Sequence, residues 1–422
     1  MAKKNKPVKY RESVQLPADK LKLGMYVSSL DRPWLEAPFP LQGVSVDKPE
    51  DINTLRNICD FVYIDTLKTR YLPKRARGRV PDSDHEKPRR TYEIQTRIEE
   101  EIQQAQKINR ASFLEVEQIL HRAFTGLPVD SRRMVKVVKS CAGSIIRNPS
   151  AMLWLSRIKH VDQYTAEHCL NVGILAMTLG RHIGMSVKQI ELLGLCGVLH
   201  DVGKMRVEQA ILNKPGKLTP DEFDLIKKHT EFGRDVLRED KRLSMKVVNA
   251  AHRHHERLDG HGYPDGIHAK NIELHTRIVT IVDAYDAITS RRCYSESKTS
   301  VQALKILYEN RNVQFDEQLV VKFIECIGVY PPGALVEVDT GEVGVVLSVE
   351  ANNRLLPKIA LVLDADKRPM QQRVIDLMAE RQCESAVQHR VRTVLVDGAY
   401  GIDLEAFTRQ NIYTGDIGLD YS

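Results

Sequence analysis

Apolar positions recur at three- and four-residue steps through most of the middle of this chain, and at alternate positions near both ends. Ile94, Ile98, Ile102, Ala105 and Ile108 form one such stripe, continued after a phase shift by Val116, Ile119, Leu120 and Ala123. That pattern predicts an amphipathic helix over 93–124, whose opposite face is rich in Glu, Gln and Lys. Its stripe suits packing on the rest of the chain or a seam with a second copy, and the dimer seam is the reading slightly preferred. Ile190 to Leu199 is apolar nearly all round and predicts a buried helix, as does Arg277 to Ile288. Thr219-Pro220-Asp221-Glu222 carries a capping box with proline at the first helical position.

The pattern differs at the two ends. Gly24-Met25-Tyr26-Val27 and Phe61-Val62-Tyr63-Ile64 read as strands around a helix running from Pro49 to Ile58. Pro331-Pro332-Gly333 closes the helical part, after which Leu335–Val338, Val343–Leu347, Ile359–Leu363 and Val391–Val396 read as strands. The expected architecture is mainly α: a small α+β module over 1–67, a basic linker over 68–92, connecting helices over 93–150, an all-helical domain over 151–330, and a β-rich appendage over 331–422, taken as structural.

Composition narrows the function classes. The 422 residues are 42% hydrophobic and 28% charged, as in a soluble multidomain protein. No run approaches the roughly 18 apolar residues of a membrane span, and the basic N-terminus lacks the apolar stretch of a signal peptide. The 7 cysteines are scattered without a Cys-x-x-Cys pair, which predicts free thiols and a cytoplasmic location. Net charge is +6, and nine of the basic residues fall between Lys68 and Arg90 with no interleaved aromatic platform, so no nucleic-acid polymer is expected as a partner.

The chemistry lies in the helical part. His200-Asp201 ends the buried helix and is followed by Val202-Gly203-Lys204. His168 and His229 sit on amphipathic helices, and His254-His255 opens the run Glu256-Arg257-Leu258-Asp259-Gly260-His261-Gly262-Tyr263-Pro264. Asp283 interrupts an apolar helix, where a carboxylate is costly unless a cation or several donors satisfy it. Asp286, one turn on, suits either a hydrogen bond to a ligand or a surface role. Neutral imidazoles with carboxylates suit divalent iron, manganese, zinc or nickel. Walker, Gly-x-Ser-x-Gly and His-Glu-x-x-His motifs are absent from the sequence.

These segments resemble the HD-GYP branch of the HD metal-dependent phosphohydrolases, in His200-Asp201 to Lys204, in His254 to Pro264, and in Asp283 to Arg292 with His168 and His229. The resemblance covers about residues 160–330. The stretch from Gly24 to Leu35 also resembles a module often found ahead of such domains. It implies hydrolysis of cyclic di-GMP to pGpG, with further cleavage to GMP in some members, by a chain that signals to other proteins. It further implies two divalent metal ions, iron or manganese before nickel or zinc. His168, His200, Asp201 and Asp283 would hold one ion, and Asp201, His229, His254 and His255 the other. Asp201 and Lys204 would be the catalytic residues. Lys204, Gly260, Gly262, Tyr263 and Arg292 would meet the substrate, the two glycines by close backbone approach. Two departures from the pattern stand out. Tyr164 occupies a place where some members carry a third-metal glutamate, and Ser295 one where a basic residue often stands. The alternatives are a weakly catalytic nucleotide-binding signalling module and an HD phosphohydrolase of another cyclic dinucleotide.

Overall fold

The computed structural model describes residues 13–30, 44–65, 90–158, 164–214, 216–290, 297–349, 355–382 and 388–411. The chain divides into a unit up to Lys87 and a second from Pro88 onward.

In the first unit, β1 (Ser13–Pro17), β2 (Tyr26–Leu30), β3 (Val44–Ser45) and β4 (Phe61–Asp65) form an antiparallel sheet in the order β1-β4-β2-β3. Helix α1 (Pro49–Ile58) starts where the sequence places it: Pro49 pre-sets the first turn and the Asp51 carboxylate accepts the Lys48 backbone N–H at 2.9 Å. Val27, Leu55 and Val62 form its buried centre.

The second unit is helical at its core. Helix α2 (Ile98–Phe124) is one continuous element that buries Ile102, Ala105, Val116, Ile119, Leu120 and Ala123. This stripe packs on α3 (Ser131–Arg147), α4 (Pro149–Leu155) and α5 (Tyr164–His182) of the same chain. The stripe read from the sequence as a dimer seam is thus covered within the chain. Ile94, counted into that stripe, precedes the helix and is exposed.

Helices α5 and α6 (Val187–Leu199) pack so closely at Gly197 that a Cβ there would lie 2.7–2.9 Å from the backbone of Val172 and Gly173. A 3-10 turn, Val202–Arg206, leads into α7 (Gln209–Leu212), α8 (Pro220–Lys227), α9 (His229–Arg238) and α10 (Met245–Arg253). The turn lies against α9: a Cβ on Gly203 would collide with the His229 carbonyl and the Gly233 backbone. After the Gly-rich loop come α11 (Leu274–Thr289), α12 (Ser300–Glu309) and α13 (Glu317–Ile327).

The remainder is a five-stranded antiparallel sheet, order β8-β7-β6-β5-β9, built from β5 (Leu335–Val338), β6 (Val343–Ser348), β7 (Lys358–Leu363), β8 (Pro369–Asp376) and β9 (Val391–Val394). Helix α14 (Leu377–Gln382) follows β8, and α15 (Leu404–Asn411) returns to the helical core. There Trp154 Nε1–H donates to Thr408 Oγ1 at 2.8 Å, the Trp154 and Phe407 rings stack, and Arg157 pairs with Asp397. The chain is mainly α, as its pattern predicts, and no helix among the described residues is long and apolar enough to cross a membrane. The basic stretch from Lys68 lies outside the described residues up to Arg89.

Candidate metal centre

Five segments converge on one buried cluster. His168 comes from α5, His200 caps α6, Asp201 begins the 3-10 turn, His229 opens α9, His254 and His255 follow α10, and Asp283 sits mid-way along α11. Their donor atoms form two groups, His168/His200/Asp283 and Asp201/His229/His254/His255, each within 4.8 Å. Asp201 lies between them. Its Oδ2 is 3.5 Å from His168 Nε2 and 3.3 Å from His200 Nε2, while its Oδ1 is 3.3 Å from His229 Nε2 and 3.5 Å from His254 Nε2.

What the rings do on their outer side defines what they offer inside. His200 Nδ1 lies 2.6 Å from the Gly197 carbonyl, His229 Nδ1 2.7 Å from that of Ile226, and His254 Nδ1 3.0 Å from that of Ala251. His168 Nδ1 lies 2.7 Å from Asp286 Oδ2. A carbonyl or carboxylate only accepts, so each Nδ1 carries a proton, and in its neutral form each ring turns a bare Nε2 lone pair inward. His229 Nε2 and His254 Nε2 then face each other at 3.3 Å, two acceptors that repel unless a cation lies near. His200 Nε2 and Asp201 Oδ1 are buried with no hydrogen-bond partner. Such orphaned acceptors are costly, and a divalent ion is the group that satisfies them together. The donor set therefore fits metal.

The charges agree. Burial opposes protonation of His168 and His200, but Asp201 and Asp283, joined at His168 by Asp286, override it and push the rings up to about 10 and about 9. That half of the cluster demands positive charge, which a metal supplies in place of ring protons. In the other half burial dominates: His229 falls to about 3 with Lys204 and His254 adding to the effect, and His255 also falls well below its ordinary value. Burial thus favours the neutral form of His229 and His255, the form that can act as a ligand. Burial raises Asp201 and Asp283, yet His200, Lys204 and His168 hold the first and His168 and His200 the second well below the usual carboxylate range.

Lys204 Nζ is bonded to Asp201 Oδ2, so its ammonium stands at the mouth of the cluster. Tyr263 lays its ring 4.7 Å from that of His255. The glycines have a packing role within the loop. A Cβ on Gly260, at φ +78°, would strike the His268 ring, and one on Gly262 would strike the backbone of residues 255–257. Both let the loop fold on itself. Asp286, ambiguous in the sequence, is buried on His168. Arg292 and Ser295 lie outside the described residues, and the side chain of Tyr164 is not described.

Sequence reasoning passed over Glu256. It is 1% exposed, and its carboxylate accepts the backbone N–H groups of Asp265, Gly266 and Ile267 at 2.7, 3.0 and 3.1 Å. This pins the Gly-rich loop against the segment that delivers His255. Its partners are backbone groups some ten residues on, so no side-chain pattern could announce it. The cluster opens into a cleft of about 1420 Å3 whose walls include Lys204, Lys214, Phe223, Arg257, Tyr263 and, from α2, Phe124.

An all-helical core with a His-Asp pair at its centre and metal-ligating side chains from successive helices is that of HD-domain hydrolases. A family model described as HD domain matches residues 150–319, one for a domain of unknown function matches 13–134, and one for a KOW domain associated with HD domain matches 335–384. The chain is 35% identical, over 88% of its own length and 91% of the relative's, to a cyclic di-GMP phosphodiesterase of Pseudomonas aeruginosa. It is also 36% identical to a cyclic di-GMP phosphodiesterase response regulator of Xanthomonas campestris, over 39% of this chain and 45% of that one. A 3′3′-cGAMP-specific phosphodiesterase of Vibrio cholerae is 36% identical over 37% of this chain and 36% of its own. The chain belongs to the HD-GYP family.

Proposed function

We propose that the protein is a metal-dependent phosphodiesterase that opens cyclic di-GMP to the linear dinucleotide pGpG in the cytoplasm. The observation that carries the reading is the pair of donor groups joined through the two oxygens of Asp201. Relatives named as cyclic di-GMP phosphodiesterases, one of them along nearly the whole chain, support the substrate. His168, His200, Asp201 and Asp283 would hold one divalent ion and Asp201, His229, His254 and His255 a second, iron or manganese by the mixture of imidazole and carboxylate. Divalent ions so held lower the pKa of water towards neutrality and draw charge from a phosphate.

The residues of the chain do the rest. The outward Nδ1–H bonds fix four ring planes, so ligand geometry costs little reorganisation during reaction. Water oxygen joins phosphorus, the bond to the ribose 3′-oxygen breaks, and that oxygen takes up one of the water's two protons to leave as a hydroxyl while the other is released to solvent. Lys204 neutralises charge that grows on the phosphoryl oxygens, from a position where it also holds Asp201. Tyr263, kept neutral by burial and by nearby Asp201 and Asp283, walls the site beside His255.

The test is chromatographic product analysis of manganese- or iron-loaded protein given cyclic di-GMP, cyclic di-AMP and 3′3′-cGAMP. Conversion of cyclic di-GMP to pGpG, two ions per chain, and loss of turnover in a folded Asp201→Ala variant are expected. Preferred cleavage of another dinucleotide, or full turnover in that variant, refutes the reading.

A further inference from the structure

Helix α2 lies outside the stretch matched by the HD model and inside that matched by the domain of unknown function. Yet its last turns pack against the 3-10 turn that carries Lys204, and Glu117, Leu120, His121 and Phe124 line the same cleft as the metal cluster. Phe124 is 53% exposed although α2 buries apolar residues one and four positions earlier. Its ring is stacked on that of His121, with centroids 6.4 Å apart and planes inclined by 28°. A second aromatic face stands in the cleft on α8. Phe223 is 46% exposed, meets Tyr263 edge-on at 6.3 Å, and carries Lys227 Nζ 5.1 Å from its centroid. Tyr263 in turn touches His255, so Phe223 is two ring contacts from the metal ligands.

Two exposed phenyl rings in one cleft leave apolar faces in water, a cost that a planar ligand removes by stacking. A cyclic dinucleotide presents two purine faces on either side of its phosphates. Base–aromatic stacking tolerates any purine, whereas hydrogen bonds discriminate between them.

We propose that Phe124 and Phe223 are the stacking platforms for the two bases of a cyclic dinucleotide, and that the domain of unknown function thereby completes the substrate site through α2. The proposal rests on the phosphodiesterase reading above. Phe124, supported from behind by His121, would take one purine, and Phe223, backed by Tyr263 and Lys227, the other. These residues bind the substrate and take no part in bond breaking.

The experiment uses the full-length, metal-loaded protein. Phe124→Ala and Phe223→Ala should each raise KM for cyclic di-GMP about tenfold with a much smaller change in kcat, as loss of one stacked base requires. Phe124→Trp should keep the parental KM, and the fluorescence its indole adds to that of the parent should be quenched saturably by cyclic di-GMP and not by inorganic phosphate. Parental KM in both alanine variants, or added fluorescence in Phe124→Trp that saturating nucleotide leaves unquenched, overturns the stacking role. A parent protein with no turnover of cyclic di-GMP instead removes the phosphodiesterase reading, so the two failures are distinguishable.

Discussion

Replacing Asp286 by Asn tests the link between ring orientation and metal affinity without touching a ligand. Asp286 is 3% exposed, accepts the Nδ1–H of His168 at 2.7 Å, and is itself held by the Ser290 hydroxyl at 3.3 Å. A hydrogen bond to a charged group contributes about 1.5–3 kcal/mol. At about 1.4 kcal/mol per decade this corresponds to roughly 10- to 100-fold in binding, the range in which loss of such outer partners usually falls. Asn keeps an acceptor but not the charge, so Asp286→Asn should weaken one metal equivalent by about tenfold. Ala also orphans the ring N–H and should cost about a hundredfold. Competition between the protein and a chromophoric chelator for manganese would resolve the two equivalents. The loss should fall on the half built from His168, His200 and Asp283, with the other half changed far less. A folded Asp286→Ala variant that binds both equivalents as the parent does would refute the assigned role of the hydrogen bond.

Two further outcomes follow from other contacts. Lys204→Ala should lower turnover by about a hundredfold or more at saturating metal while metal content changes little, and loss of metal together with fold would make Lys204 structural. Glu101 is buried beneath Arg147, Ser144 and Thr96; burial opposes its ionisation, but the Arg147 and Ser144 bonds hold its pKa below the ordinary value. Its stabilisation is therefore present above about pH 4.5 and is lost as pH falls through the lower folded value. Glu101→Gln should cost about 2 kcal/mol in urea unfolding at pH 7, with the gap to the parent narrowing below pH 4; a gap independent of pH would contradict this.

Several of the candidate metal ligands were legible because they break a local rule, whereas His168 and His229, on ordinary amphipathic helices, were reached only through the resemblance. Asp283 stands in an apolar helix, His200-Asp201 ends another, and His254-His255 precedes a glycine loop. Helix α1 was legible from Pro49 and the acids behind it. Strand β8 was not: Pro-Met-Gln-Gln-Arg at its start is polar, and its alternation of exposed and half-buried positions is that of a sheet edge with little to hide. The seam of α2 was visible, but an apolar stripe does not say whether its own chain or another will cover it. The glycines of the loop show the same limit. Their type signals a tight turn, while the His268 ring and the backbone they pack against are set by tertiary structure.

The covered seam of α2 bears on where the catalytic part can be cut free. The HD match begins at residue 150, but the hydrophobic body does not. Val138 of α3 lies so near α6 that a Cβ on Gly194 would stand 2.7 Å from its methyl, and Arg147 reaches back to Glu101. A fragment started at residue 150 would turn these inner faces outward and become sticky, while one started near Pro88 keeps its core whole.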